Sequence, residues 1–178
     1  MTVPNINTPE YWDAAWRKHH QAYIKDPGRL ALAQEAAARV SGNVLEIGGG
    51  CGAFASLVSR VTVLDFSVFA LAMANRNGHN AIWCDLAVYE EKVFGEFDWA
   101  VCLDVLEHLD EPERAIRCAR LNAPKALFAV PNNTMGPGSC REHVRIYTEE
   151  QLADALSEWP YCKITTVQNR LLAEVRCE

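Results

Sequence analysis

From residue 43 onward, short apolar runs take turns with stretches of helical spacing. Residues 43–47, 61–65, 80–84, 97–103 and 125–130 have the length and the β-branched, aromatic-rich character of buried strands. Residues 52–59, 67–77 and 111–120 carry the intervening helical patterns, and the crossover over 87–95 leaves room for about two helical turns. Strand and helix in alternation predict an α/β fold around a parallel sheet. After a final helix, residues 161–167 and 171–177 read as two more strands, and the tight joint at Gln168-Asn169-Arg170 forces them to pair antiparallel.

Punctuation supports these boundaries. Ser67 is suited to cap its helix and Asn77-Gly78 to stop it, Asp110 with Glu113 offers a capping box for the helix over 111–120, and Thr148 with Gln151 offers another. Leu152, Ala155, Leu156 and Trp159 form the buried face of that last helix. In front of the sheet, Thr8 caps a helix with Pro9 at its first position, and Trp12, Ala15, Trp16, His19 and Tyr23 fall on one face. Asp26-Pro27-Gly28 breaks it, and an alanine-rich helix follows over 29–40 until Ser41-Gly42. One domain is expected over 1–178, with a helical cap over 1–41 and a core over 42–178 that carries the ligand.

The first strand ends in Glu46-Ile47-Gly48-Gly49-Gly50-Cys51-Gly52. Glycine at 48, 50 and 52 permits positive φ and lets the main chain approach a ligand without a Cβ between them. A helix starting near Gly52 would add unpaired N–H groups. The strand ends then supply acids: Glu46 before the turn, Asp65 closing the second strand and Asp85 following the third. In a doubly wound sheet these ends face one crevice. Asp65 can accept from both ribose hydroxyls, Phe66 can lie against a purine, and Asp85 can accept from an exocyclic amine, which together describe an adenosine pocket.

Composition narrows the partners. The chain has a formal net charge of −6, which opposes docking on a nucleic-acid backbone, and a small molecule or a protein is the expected substrate. No apolar run approaches the roughly 20 residues of a membrane span, and the polar first twenty residues do not suit a signal peptide, so a cytoplasmic protein is expected. The 7 cysteines are scattered without a Cys-x-x-Cys pair, which predicts reduced thiols; Cys84 and Cys102 read as small buried hydrophobes, and no metal site is expected.

Glu46-x-Gly48-x-Gly50-x-Gly52, Asp65, Cys84-Asp85-Leu86, the segment from Phe97 to Leu109 and His143-Val144-Arg145-Ile146-Tyr147-Thr148 together resemble the class I S-adenosylmethionine-dependent methyltransferases, closest to their small, UbiE-like branch. The likeness covers roughly residues 40–178. It implies a doubly wound, seven-stranded Rossmann-like sheet in the order 3-2-1-4-5-7-6 with strand 7 antiparallel, S-adenosyl-L-methionine as cofactor and S-adenosyl-L-homocysteine as product. By the same resemblance the cofactor-binding set is Glu46, Gly48, Gly49, Gly50, Gly52, Asp65, Phe66, Ser67, Asp85, Leu86 and Leu103. The glycine loop would pass under the methionine part, and the main chain near Leu103 would receive the ammonium group with Glu46 orienting it or the loop.

Asp104, His108 and His143 are the candidate bases, should the acceptor have a proton to lose. Trp12, Trp16, Tyr23, Asn132 and Arg145 are candidate substrate contacts, because recognition falls to the N-terminal helices and the loop over 131–147. Leu103-Asp104-Val105-Leu106 stands where nucleic-acid and protein nitrogen methyltransferases of this class resemble Asn/Asp-Pro-Pro-Tyr/Phe, and this departure disfavours an adenine N6 or glutamine acceptor. The acceptor is expected to be small or brought by a partner. Two other classes compete: an NAD-dependent oxidoreductase, suggested by Gly48-x-Gly50-x-x-Ala53 but without a hydride-transfer partner, and a non-catalytic binding or scaffolding protein of the same fold.

Overall fold

The computed structural model describes residues 5–87, 93 and 95–178. The elements, in chain order, are α1 (Pro9–Ile24), α2 (Pro27–Arg39), β1 (Val44–Ile47), β2 (Val61–Asp65), α3 (Val68–Arg76), β3 (Asn80–Trp83), β4 (Trp99–Leu103), α4 (Pro112–Asn122), β5 (Lys125–Pro131), α5 (Glu149–Ala155), β6 (Tyr161–Val167) and β7 (Arg170–Arg176). Among the described residues, seven strands form one sheet in the order β3-β2-β1-β4-β5-β7-β6. The first five run parallel, and β7 lies antiparallel between β5 and β6, as the short joint requires.

Both faces of the sheet are covered, and strand alternation divides the core in two. Leu45, Ile47, Cys102, Phe128 and Val130 pack with Ile116, Leu152, Leu156 and Trp159 from the side of α4 and α5. Val44, Val63, Val101, Leu127 and Leu172 pack with Leu32, Ala33 and Ala36 of α2 on the other. Sheets buried on both faces call for nearly continuous apolar strands, and the central strands are largely so, with Glu46 of β1 standing out.

Three boundaries differ from expectation. No long helix follows the glycine turn. Only a single 3-10 turn forms over Ala55–Leu57, because Val58 is already extended toward β2. A unit that short offers no helix dipole, so the glycine turn must hold any ligand by its own backbone. Asp26 does not merely break the first helix; its side chain accepts from Arg29 N at 2.8 Å and starts α2 with Pro27 at the first turn. Asp110 does not cap α4. Glu111 occupies that position without a side-chain bond, and Pro112 removes a donor that would otherwise need one. The capping box of Thr148 and Gln151 on α5 is formed as expected. Most of the crossover expected over 87–95 lies outside the described residues.

α1 is held onto α3 by a side chain the helical pattern did not single out. Asp13 accepts from Ser67 Oγ at 2.5 Å and from Phe69 N at 3.0 Å, capping the start of α3 from outside. Trp12, Trp16 and Tyr23 face inward and pack edge or face on one another, but His19 is exposed. No helix among the described residues is long and apolar enough to cross a membrane.

Candidate active site

The carboxyl ends of β1, β2, β3 and β4 open onto one cleft of about 410 Å3, with α1 and α2 lying over its rim. This is the size range of small-molecule sites, and its position is the crevice expected of a doubly wound sheet. Trp12, Trp16, Glu46, Gly48, Gly49, Gly50, Asp65, Phe66, Asp85, Leu86, Leu103, Asp104 and His108 all line it. Gly52, Ser67, Tyr23, Asn132, Arg145 and His143 do not.

The glycine turn is shaped for close approach. Gly48 has φ +73° and Gly50 φ +51°. A Cβ on Gly48 would stand 2.6 Å from Val105 Cγ2, and one on Gly50 2.7 Å from Trp16 Cζ2, so both positions exclude a side chain sterically as well as conformationally. Asp65 fixes the turn from the neighbouring strand: one oxygen accepts from Gly50 N at 2.8 Å and the other from Ser67 N at 2.8 Å. Burial raises its pKa to about 6, against the lowering effect of these N–H donors. Asp85 accepts from Ala87 N at 2.9 Å, which orients its carboxylate while leaving its second oxygen outside that bond.

Glu46 is different. It is buried, and its Oε2 has no hydrogen-bond partner among the described residues. Burial, with Asp65 nearby, pushes its pKa up to about 8, so at pH 7 the acid is mostly protonated. A cationic group beside it would offset the cost of ionising it. An ammonium-bearing ligand therefore fits this end of the cleft.

The three candidate bases have separate fates. Asp104, at φ +52°, is committed to Arg170, whose Nη2 donates to Oδ2 at 3.0 Å, and Arg29 stands 3.8 Å away. Through these contacts the carboxylate anchors the β4 loop to the β6–β7 turn while also lining the cleft. His108 lines the cleft, its Nδ1 donates to Glu142 O at 2.9 Å, and burial lowers its pKa to about 4, so it is neutral and a poor proton acceptor at pH 7. His143 is buried behind it, ring centroids 4.8 Å apart, with Nδ1 bonded to Met135 O at 2.6 Å. It cannot touch a ligand in the cleft directly.

Two expected substrate contacts stand away from the cleft lining. Arg145 Nη2 donates to the carbonyls of Leu109 and Asp110 at 2.9 and 2.7 Å, tying the loop to the start of α4. The Asn132 backbone pairs with Tyr147 and donates to Asn169 O at 2.9 Å. Tyr23 backs Trp16 and holds the Arg29 guanidinium 4.5 Å above its ring. Ser67 serves as the N-cap of α3.

Contacts invisible to local pattern complete the wall. Asn7 Nδ2 donates to Glu142 O at 2.7 Å and to His108 O at 3.2 Å, while Trp12 Nε1 donates to Asn7 Oδ1 at 3.0 Å. The Tyr11 hydroxyl donates to Glu142 Oε1; its pKa rises to about 12, through burial first and the Glu142 bond second. These bonds stitch the chain ahead of α1 to the loop over 131–147 and close the cleft beside His108. Nothing in helical or strand periodicity announces them, since they join segments more than a hundred residues apart.

The fold recurs in solved structures. DhpI, solved with S-adenosylhomocysteine, is 21% identical with a TM-score of 0.74, covering 94% of each chain. Magnesium protoporphyrin IX methyltransferase of Synechocystis PCC 6803, also with S-adenosylhomocysteine, is 17% identical with a TM-score of 0.71, over 94% of this chain and 97% of that one. A Haloferax volcanii putative methyltransferase in complex with the activator Trm112 is 12% identical with a TM-score of 0.70, over 99% of both chains. No curated protein matches the sequence. The methyltransferase domain family matches residues 16–171, from the middle of α1 to the second residue of β7, and the chain belongs to that family.

Proposed function

We propose that the protein transfers a methyl group from S-adenosylmethionine to a small-molecule acceptor, in keeping with the UbiE-like character of its motifs. One observation carries this reading: the acids at the ends of β1, β2 and β3, Glu46, Asp65 and Asp85, meet around a single cleft with Phe66 and Leu86 beside them. Bound S-adenosylmethionine supplies an electrophilic methyl on a sulfonium. Asp65 would hold the ribose with the lone pairs that Gly50 and Ser67 leave free, Asp85 and Leu86 would flank the base, and Glu46 with the Leu103 main chain would receive the ammonium. That two relatives of the same fold were solved with S-adenosylhomocysteine supports the assignment.

The chain's own contribution is alignment, which in well-oriented reactions accounts for on the order of 7–11 kcal/mol of barrier. Trp12 and Trp16, stacked 5.0 Å apart, and His108, edge-on 5.2 Å from Trp12, form an aromatic wall beside the β4 loop. This wall suits a small planar or apolar acceptor. Calorimetric titration of the purified chain tests the cofactor half. S-adenosylhomocysteine is expected to bind one to one at about 10 μM or tighter, roughly −7 kcal/mol, and NAD to give no heat. Heat with NAD alone, or with neither ligand, would overturn the proposal.

A further inference from the structure

The wall beside His108 contains a group the cofactor reading does not use. Glu107 is buried, and neither of its carboxylate oxygens has a hydrogen-bond partner among the described residues. An unpaired buried carboxylate is costly, and proteins retain such a group where a cation or a proton compensates it. Its neighbours are two imidazoles. His108 Nε2 lies 3.9 Å from Glu107 Oε1, too far for a hydrogen bond, and the Glu107, His108 and His143 ligand atoms all fall within 4.8 Å of one another.

The tautomers of both rings are fixed by what they touch. His108 Nδ1 meets the Glu142 carbonyl and His143 Nδ1 meets the Met135 carbonyl. A carbonyl oxygen only accepts, so each Nδ1 carries the hydrogen and each Nε2 of the neutral ring presents a lone pair. Backbone carbonyls that orient imidazoles in this manner are the usual outer support of metal-binding histidines. Two neutral nitrogens and one carboxylate form a set that suits zinc, manganese or ferrous iron and leaves coordination positions open.

We propose that Glu107, His108 and His143 hold a divalent cation at the acceptor end of the cleft, where the cation's open position takes an oxygen of the acceptor. Metal–ligand bonds of about 2.0–2.2 Å place ligand atoms about 3–3.5 Å apart, so the three must draw together on loading, within reach of side-chain rotation in Glu107. His108 lines the cleft while Glu107 and His143 stand behind it, so the site borders the cleft through His108. The site also answers the lack of a base. A coordinated hydroxyl loses its proton to solvent near neutral pH, as metal-bound water does; the oxygen then takes the methyl carbon, and the sulfur keeps the electron pair of the broken S–C bond.

The cation site stands apart from the cofactor, whereas its use for an acceptor oxygen rests on the methyl-transfer reading. The test separates them. Chelator-treated protein carrying serine at the exposed Cys162 and Cys177 is titrated with MnCl2 and with ZnCl2, without cofactor. One equivalent is expected to bind, with at least a tenfold loss of affinity in Glu107→Gln and in His143→Ala, each checked for folding by circular dichroism. Bound manganese is expected to enhance water-proton relaxation, and acetohydroxamate, a bidentate oxygen ligand, to abolish that enhancement. No stoichiometric binding of either metal, or equal binding by both folded variants, overturns the site; bound manganese without exchangeable water overturns the acceptor role. S-adenosylhomocysteine titrated in excess chelator reports on the cofactor reading alone.

Discussion

Replacing Asp65 with alanine is expected to weaken S-adenosylhomocysteine binding at least about 100-fold, measured by calorimetry against the parent chain. The carboxylate has two tasks. It accepts from the Gly50 and Ser67 amides, which sets the glycine turn against the start of α3, and its remaining lone pairs are the ones a ribose diol would meet. Alanine frees the Gly50 and Ser67 amides, which loosens the turn, and removes the charged acceptor for two ribose hydroxyls, at about 1.5–3 kcal/mol for each such bond. A hundredfold loss corresponds to only about 2.7 kcal/mol, well within that total. Asp65→Asn keeps one carbonyl acceptor and should fall between the two. An Asp65→Ala protein that binds as tightly as the parent would take Asp65 out of the site.

The largest effect on stability is expected from Arg170→Ala, a destabilisation of about 3 kcal/mol or more in urea unfolding. Arg170 follows the Gln168-Asn169 turn at the start of β7, pairs across the sheet with Pro131, and reaches Asp104 through Nε and Nη2. Both side chains are nearly shielded from solvent, 9% and 7% exposed, so loss of the guanidinium strands a buried carboxylate with only Arg29 at 3.8 Å to answer it. The same change should loosen the β4 loop, because Asp104 holds a left-handed conformation there. Arg170→Lys restores the charge but not the two-point contact and should recover part of the loss. A change below about 0.5 kcal/mol in Arg170→Ala would show that the pair does not hold the loop.

The sheet was legible because its signals are local. Each buried strand is a short apolar run bounded by turn residues, and the single tight joint makes β7 antiparallel to β6. The acids at 46, 65 and 85 could be placed on one cleft from their strand-end positions alone. The glycine turn told where the backbone must pass close, but not that the next segment would be a single 3-10 turn, since residues 52–59 have length enough for two helical turns and the chain is already extended at Val58.

What escaped the sequence is long-range and polar. Arg170 and Asp104 are 66 residues apart, and no spacing links them. His143 read as a candidate base because it sits in an irregular loop, yet that loop folds it beneath His108, where it touches the other ring and not the ligand. Arg145 and Ser67 likewise have the chemistry of site residues, yet Arg145 Nη2 meets two backbone carbonyls and the Ser67 hydroxyl caps a helix. Side-chain type marks what a residue can do; only the packed chain decides what it faces.

A crystal structure with S-adenosylhomocysteine bound tests the central claim most directly. Both ribose hydroxyls are expected within hydrogen-bond distance of the Asp65 carboxylate, the base between Phe66 and Leu86 near Asp85, and the amino group against Glu46 over the turn at 48–50. Density for the ligand elsewhere on the protein, or in this cleft with its sugar turned away from Asp65, would contradict it.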